Sequence, residues 1–199
     1  IVMLTLNLDY LFGTQQSRVR YIEDDGIKYI GIKDGYITEK LMVEAGEKLP
    51  NVSDYFSPNY TLDKKHAIAY YLNDTSIPTE SFSVKGEDGL LYVIGSNNTI
   101  IVKINNFDEE YTTKLVITDS TAPTIQLEPV TITQGETVEP LSFVAIFIDN
   151  SRSFDFTAEL LTEGTYDTPG TYEVDVRVCD ISNNCAVGKT NLVVEKKPS

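Results

Sequence analysis

Apolar and polar residues alternate with a period of two along most of this chain, and no stretch of a dozen residues repeats its apolar positions at helical spacing. The pattern predicts an all-β fold. Near the C-terminus, Tyr172, Val174, Val176 and Val178 fall on one face of a strand and Glu173, Asp175, Arg177 and Cys179 on the other, as a half-buried antiparallel strand requires. The next strand places Ala186, Gly188, Thr190, Leu192 and Val194 on one side and Cys185, Val187, Lys189, Asn191 and Glu195 on the other. Setting Cys179 opposite Cys185 brings both apolar sets to the same side, so the register is self-consistent. Earlier, the segments 90–94, 100–104 and 113–117 read as strands, with turns at Gly86-Glu87-Asp88-Gly89 and Gly95-Ser96-Asn97-Asn98. Asp24-Asp25-Gly26, between 18–23 and 27–32, predicts a tight hairpin.

A second pattern lies above the strands. Val43-Glu44-Ala45-Gly46-Glu47-Lys48-Leu49-Pro50 is echoed by Ile132-Thr133-Gln134-Gly135-Glu136-Thr137-Val138-Glu139-Pro140. The offset of roughly 90 residues is too long for a solenoid unit and suits one small β-sandwich per repeat. This predicts a tandem array: 34–119 as a divergent β-sandwich and 120–199 as a more regular one. Residues 1–33 read as N-terminal strands or the tail of a preceding domain. Between the repeats, Asp119-Ser120-Thr121-Ala122-Pro123 is a short connector that proline should stiffen.

A formal charge of -14 and a pI near 4.4 argue against nucleic-acid or anionic-membrane partners, which call for clustered Lys and Arg. No apolar run approaches bilayer length, so no membrane insertion is expected within this fragment. The chain opens without methionine and ends on Lys196-Lys197-Pro198-Ser199, which resembles the start of another linker. It therefore reads as a monomeric piece of a longer array.

The run Asp167-Thr168-Pro169-Gly170-Thr171-Tyr172-Glu173-Val174, the entry Asp119-Ser120-Thr121-Ala122-Pro123-Thr124-Ile125, Gly135 with Glu136, Asp149-Asn150 and Cys179-Asp180-Ile181-Ser182-Asn183-Asn184 carry a family resemblance. Over about 122–195 the chain resembles bacterial immunoglobulin-like domains found repeated in Gram-positive surface and secreted proteins. The first repeat shares only its Gly-Glu phrase and the closing Leu115-Val116-Ile117-Thr118-Asp119. The resemblance implies a non-catalytic spacer or adhesion module, outside the cell, with a protein or glycan surface ligand. Tyr172, just after Gly170, is placed either as a tyrosine corner, its hydroxyl bonding back to nearby backbone, or as a plain core aromatic. Val174 occupies the position of the second inter-sheet cysteine of antibody domains, so that bridge is absent.

Few residues suggest chemistry, and no catalytic set or cofactor motif emerges. Cys179 and Cys185 flank a short loop and form either a disulfide or a pair of free thiols; the bridge would indicate an oxidising compartment. His66, the sole histidine, is expected in a solvated turn. Asp119, Asp149 and Asp180, with Asn150, sit at strand ends or linkers, where they serve as turn residues or as oxygen ligands for calcium. Tyr55, Tyr60, Tyr70 and Tyr71 cluster in the divergent repeat, either as ligand-facing aromatics or as alternating core residues. An exposed set there would favour a carbohydrate-binding accessory region of a polysaccharide-degrading enzyme.

Overall fold

The computed structural model describes residues 2–4, 21–32, 35–58, 66–105, 109–162 and 164–198, with backbone alone at 2–4. Among these the secondary structure is strand plus three 3-10 turns, with no α-helix. The chain divides into two compact units, one holding residues 1–93 and 97–118, the other 94–96 and 119–199.

In the first unit, β1 (Val2–Leu4), β2 (Tyr21–Asp24), β3 (Ile27–Gly31) and β4 (Tyr36–Thr38) form one antiparallel sheet in chain order. Asp24 pairs with Ile27 across a turn in which Asp25 and Gly26 have φ of 48° and 75°. Those left-handed values are what a two-residue type I′ hairpin demands, and Asp-Gly supplies them cheaply. The expected boundary at 33/34 falls inside this sheet, between β3 and β4. The sheet in turn is tied to the first unit: Thr113 Oγ1 donates to the Thr38 carbonyl at 2.6 Å, Ile37 bridges to Phe56, and Ile37 joins the main core. The residues described from 21 to 32 are therefore additional strands of the first unit.

The larger sheet of this unit runs β5 (Leu41–Glu44), β11 (Glu110–Thr118), β10 (Asn98–Asn105), β6 (Ala67–Leu72), β7 (Thr75–Ile77), and β8 (Ser83–Lys85) pairs with β9 (Leu91–Val93). Alternation decides the core. Ile100, Val102 and Ile104 of β10 and Tyr111, Leu115 and Ile117 of β11 are buried, together with Val43, Tyr55, Phe56, Tyr70, Phe82 and Val93.

The second unit sets the sheet β13 (Val130–Thr133), β17 (Cys185–Glu195), β16 (Gly170–Asp180), β15 (Phe156–Leu160) with the pair β12 (Thr124–Leu127) and β14 (Val144–Ile148). In β16, Val174, Val176 and Val178 are buried, and Cys179 pairs with Cys185 in the expected register. Gly188 marks where the β12 side chains approach β17: a Cβ there would lie 2.7 Å from Leu127 Cδ1 and 3.7 Å from Ile125 Cδ1. The resulting arrangement is a tandem of immunoglobulin-like β-sandwiches.

The Gly46/Gly135 echo has a structural cause. β5 pairs parallel with β11, and β13 pairs parallel with β17, so each phrase is a short strand lying beside the last strand of its unit. Each strand then ends in the same turn. Gly46 and Gly135 have φ of 84° and 89°, and Glu47 and Glu136 each send a carboxylate oxygen back to a backbone N–H three residues earlier, at 3.3 Å on Glu44 and 2.7 Å on Thr133. The echo continues into a 3-10 turn, Val52–Tyr55 in one unit and Pro140–Phe143 in the other, that drives an aromatic ring into the core. Around Gly135 an added Cβ would meet nothing within 4 Å, so packing is not the obstacle. Gly135→Ala is expected to cost about 1–2 kcal/mol through backbone conformation alone, read as a lower urea midpoint with unchanged m-value.

Candidate functional site

Three loop segments of the second unit converge on one point. Asp119 opens the entry to β12, Asp149 follows β14, and Asp180 ends β16; one carboxylate oxygen from each lies within 4.8 Å of the others. All three are buried, at 6%, 7% and 3% exposure. Local chemistry explains how the loops hold them. Asp149 Oδ2 accepts from the Ser151 backbone N–H at 3.0 Å and from the Ser151 hydroxyl. Asp180 Oδ1 accepts from the backbone N–H groups of Ser182 at 2.8 Å and Asn184 at 2.9 Å, while Oδ2 accepts from Asn184 Nδ2 at 3.0 Å. These are Asx-type turns, in which a short carboxylate replaces a backbone acceptor.

Cross-links then join the segments. Ser182 Oγ donates to Asp119 Oδ2 at 3.0 Å, and Asn184 Nδ2 donates to the Asp119 carbonyl at 3.0 Å. The Cys179–Cys185 disulfide, with Cα atoms 4.1 Å apart, staples the base of the 180–184 loop. Closing so short a loop contributes about 2 kcal/mol in the chain-entropy picture.

Two oxygens are left over. Asp119 Oδ1 and Asp149 Oδ1 are buried and accept no hydrogen bond. Burial holds the Asp119 carboxyl above its ordinary range, the charges of Asp149 and Asp180 push in the same direction, and the Ser182 bond opposes them. Among the described residues, no lysine or arginine forms an ion pair with any of the three; Lys189 pairs with Glu173 at 2.8 Å, and Arg177 with Glu159. Two ionised carboxylates at this separation repel by about 3 kcal/mol at an effective dielectric near 20.

The sequence places the three aspartates at strand ends but overlooks Ser151, Ser182 and Asn184, which aim them. The signal was available as Asp-x-Ser, present at both 149–151 and 180–182.

The aromatic cluster is corrected by the structure. Tyr55 and Tyr70 are core residues at 0% and 6% exposure, with Tyr70 packed edge-on against Phe82 at 4.8 Å. Tyr55 enters from its 3-10 turn, and Tyr70 points inward because β6 alternates. Tyr71, its neighbour, faces the other way, half-buried under Lys103 Nζ at 5.1 Å, and Tyr60 lies outside the described residues. Burying a phenol needs compensation, yet the Tyr55 hydroxyl has no hydrogen-bond partner, and burial raises its pKa far above the ordinary value. Tyr55→Phe should therefore be neutral or stabilising by about 1 kcal/mol, measured by denaturant unfolding.

His66 also departs from expectation: it is half-buried, its ring 5.8 Å from that of Phe56. Tyr172 donates its hydroxyl to the Thr168 carbonyl at 2.7 Å, a backward bond of the tyrosine-corner kind, and meets Tyr166 edge-on at 5.3 Å. A groove of about 220 Å³ beside the 26–28 and 39–42 segments is smaller than ordinary ligand pockets.

No protein-family model matches the chain, and no curated protein matches it in sequence. Solved structures similar to this chain include several tandem-domain proteins and an endo-fucoidan hydrolase of glycoside hydrolase family 107, the latter at 10% identity over 64% of this chain and 28% of that one with TM-score 0.24. The tandem-domain proteins include human protocadherin-24 EC1-2, at 9% identity over 80% of this chain and 95% of that one with TM-score 0.28. Titin A168-169 shares 10% identity over 68% and 86%, with TM-score 0.34, and the tandem Ig repeats of Dlar share 14% over 66% and 84%, with TM-score 0.24.

Proposed function

We propose that this chain is a non-catalytic spacer or adhesion segment of a bacterial cell-surface or secreted protein of the Gram-positive type, meeting a protein or glycan ligand outside the cell. The observation that carries the reading is the repeated build: two sandwich units in tandem, each with the same Gly-Glu turn beside its last strand and the same aromatic-bearing 3-10 turn. A module made this way devotes its repeated geometry to holding a shape. The disulfide supports an oxidising compartment. Burial of Tyr55 and Tyr70 takes two of the four tyrosines out of the set on which a carbohydrate-binding reading would rest.

Antibody labelling of intact, non-permeabilised source cells, combined with alkylation of thiols before lysis, tests the proposal. Surface labelling with Cys179 and Cys185 protected from alkylation is the expected result. Protein confined to the cytoplasm with both thiols alkylated would sink it.

A further inference from the structure

We propose that Asp119, Asp149 and Asp180 form a calcium site that ties together the entry segment, the 149–151 turn and the 180–184 loop of the second unit. Two observations carry this independently. The first is spacing: oxygens sharing one calcium at 2.3–2.6 Å can be at most about 5 Å apart, and one oxygen from each aspartate meets that bound, all lying within 4.8 Å of one another. The second is the pair of buried oxygens, Asp119 Oδ1 and Asp149 Oδ1, that accept nothing from the protein. Buried carboxylate oxygens are costly to leave unpaired, and three carboxylates that no lysine or arginine neutralises among the described residues call for a cation.

The donor set selects the metal. All three side chains offer hard oxygen, and both cysteines are consumed by the disulfide, so the site suits calcium or magnesium rather than zinc or copper. Magnesium keeps several of its waters and demands near-ideal octahedral geometry; a buried cluster of aspartates already held by Ser151, Ser182 and Asn184 suits the looser shell of calcium, with backbone oxygen or water completing it. The arrangement differs from an EF-hand, because its ligands come from three separate segments rather than one loop. Asp119 and Asp149 each use one oxygen for positioning bonds to the protein, while Asp180 accepts on both of its oxygens and would bind the ion alongside those bonds. Asp119 and Asp149 present their other oxygen to the ion.

Titration calorimetry of the full chain with CaCl2, after EDTA treatment and dialysis, tests the site. We expect one ion bound with a Kd of about 10⁻⁴ M, in the range of extracellular modules, and magnesium at least roughly tenfold weaker. Calcium at roughly a hundredfold over Kd should raise the melting transition of the second unit by about 15 °C. Asp119→Asn and Asp149→Asn should each weaken calcium binding by about tenfold or more, while melting in EDTA no lower than wild type, because each removes like-charge repulsion. Glu195→Gln, exposed at the far end of β17, should bind calcium as wild type does and controls for diffuse attraction to an acidic protein. Absence of saturable calcium binding by the wild-type chain, equal affinity for magnesium, or unchanged binding by both aspartate variants would overturn the proposal. The wild-type titration alone decides the matter should a variant fail to fold.

Discussion

Phe143→Ala is expected to destabilise the second unit by about 3–5 kcal/mol, the usual range when a fully buried aromatic is truncated and its cavity cannot close. Phe143 is 0% exposed, at the end of the Pro140–Phe143 turn, in a core with Ile132, Val174, Val176, Val178, Leu192 and Val194. Those neighbours lie on regular strands, whose ladders resist the movement needed to fill the space. At roughly 0.05–0.15 kcal/mol per residue a unit of this size has only about 4–12 kcal/mol in all, so the variant should be marginal or unfolded. Urea unfolding should show the transition of the second unit shifted or lost, with that of the first retained. Leu141, two positions away in the same turn but 55% exposed, supplies the contrast: Leu141→Ala should stay within about 0.5 kcal/mol. Equal effects from the two substitutions would show that the turn does not anchor the core through its aromatic ring.

Asp180→Ala, measured in EDTA so that divalent cations play no part, should cost about 3 kcal/mol. The carboxylate accepts three hydrogen bonds, two of them from backbone N–H groups of its own loop, and alanine leaves those donors unpaired in a part-buried place. Asp180→Asn retains an acceptor oxygen and relieves repulsion with Asp119 and Asp149, so it should cost clearly less. The order Ala worse than Asn, seen by denaturant or thermal unfolding, identifies a capping role. Indistinguishable losses would mean that charge rather than hydrogen bonding holds the loop. Removing the Cys179–Cys185 bridge, a short-loop staple worth about 2 kcal/mol, should be the milder lesion at the same end of the hairpin.

Features determined by neighbours in the chain were legible in advance. The β16–β17 register followed from two alternating strands that must turn the same face to one core, and any slip by one residue would have exposed Val174, Val176 and Val178. The Asp25-Gly26 hairpin was legible because left-handed backbone has few occupants. The Gly46 and Gly135 phrases were legible as a repeat, while the turn that each makes was not. Alternation could not say which tyrosines in a polar, irregular stretch turn inward. Tyr55 sits on a 3-10 turn, where period two does not apply, and β6 carries Tyr70 and Tyr71 on opposite faces with nothing in their chemistry to distinguish them. The N-terminal strands were likewise ambiguous, since membership in a unit depends on long-range contacts such as Thr113 to Thr38.

By itself, then, the sequence determined an all-β tandem, its hairpins, its two repeated phrases and the strand ends at which the aspartates stand, because all of these depend on local backbone preference and on hiding one face of each strand. Only the tertiary structure decided that Asp119, Asp149 and Asp180 meet, and that Asp119 and Asp149 each keep one buried oxygen unsatisfied. Residues 119, 149 and 180 are distant in the chain; their approach is set by how β12, β14 and β16 close around a common core, and the demand for a partner arises only once that closure has removed water from the carboxylates.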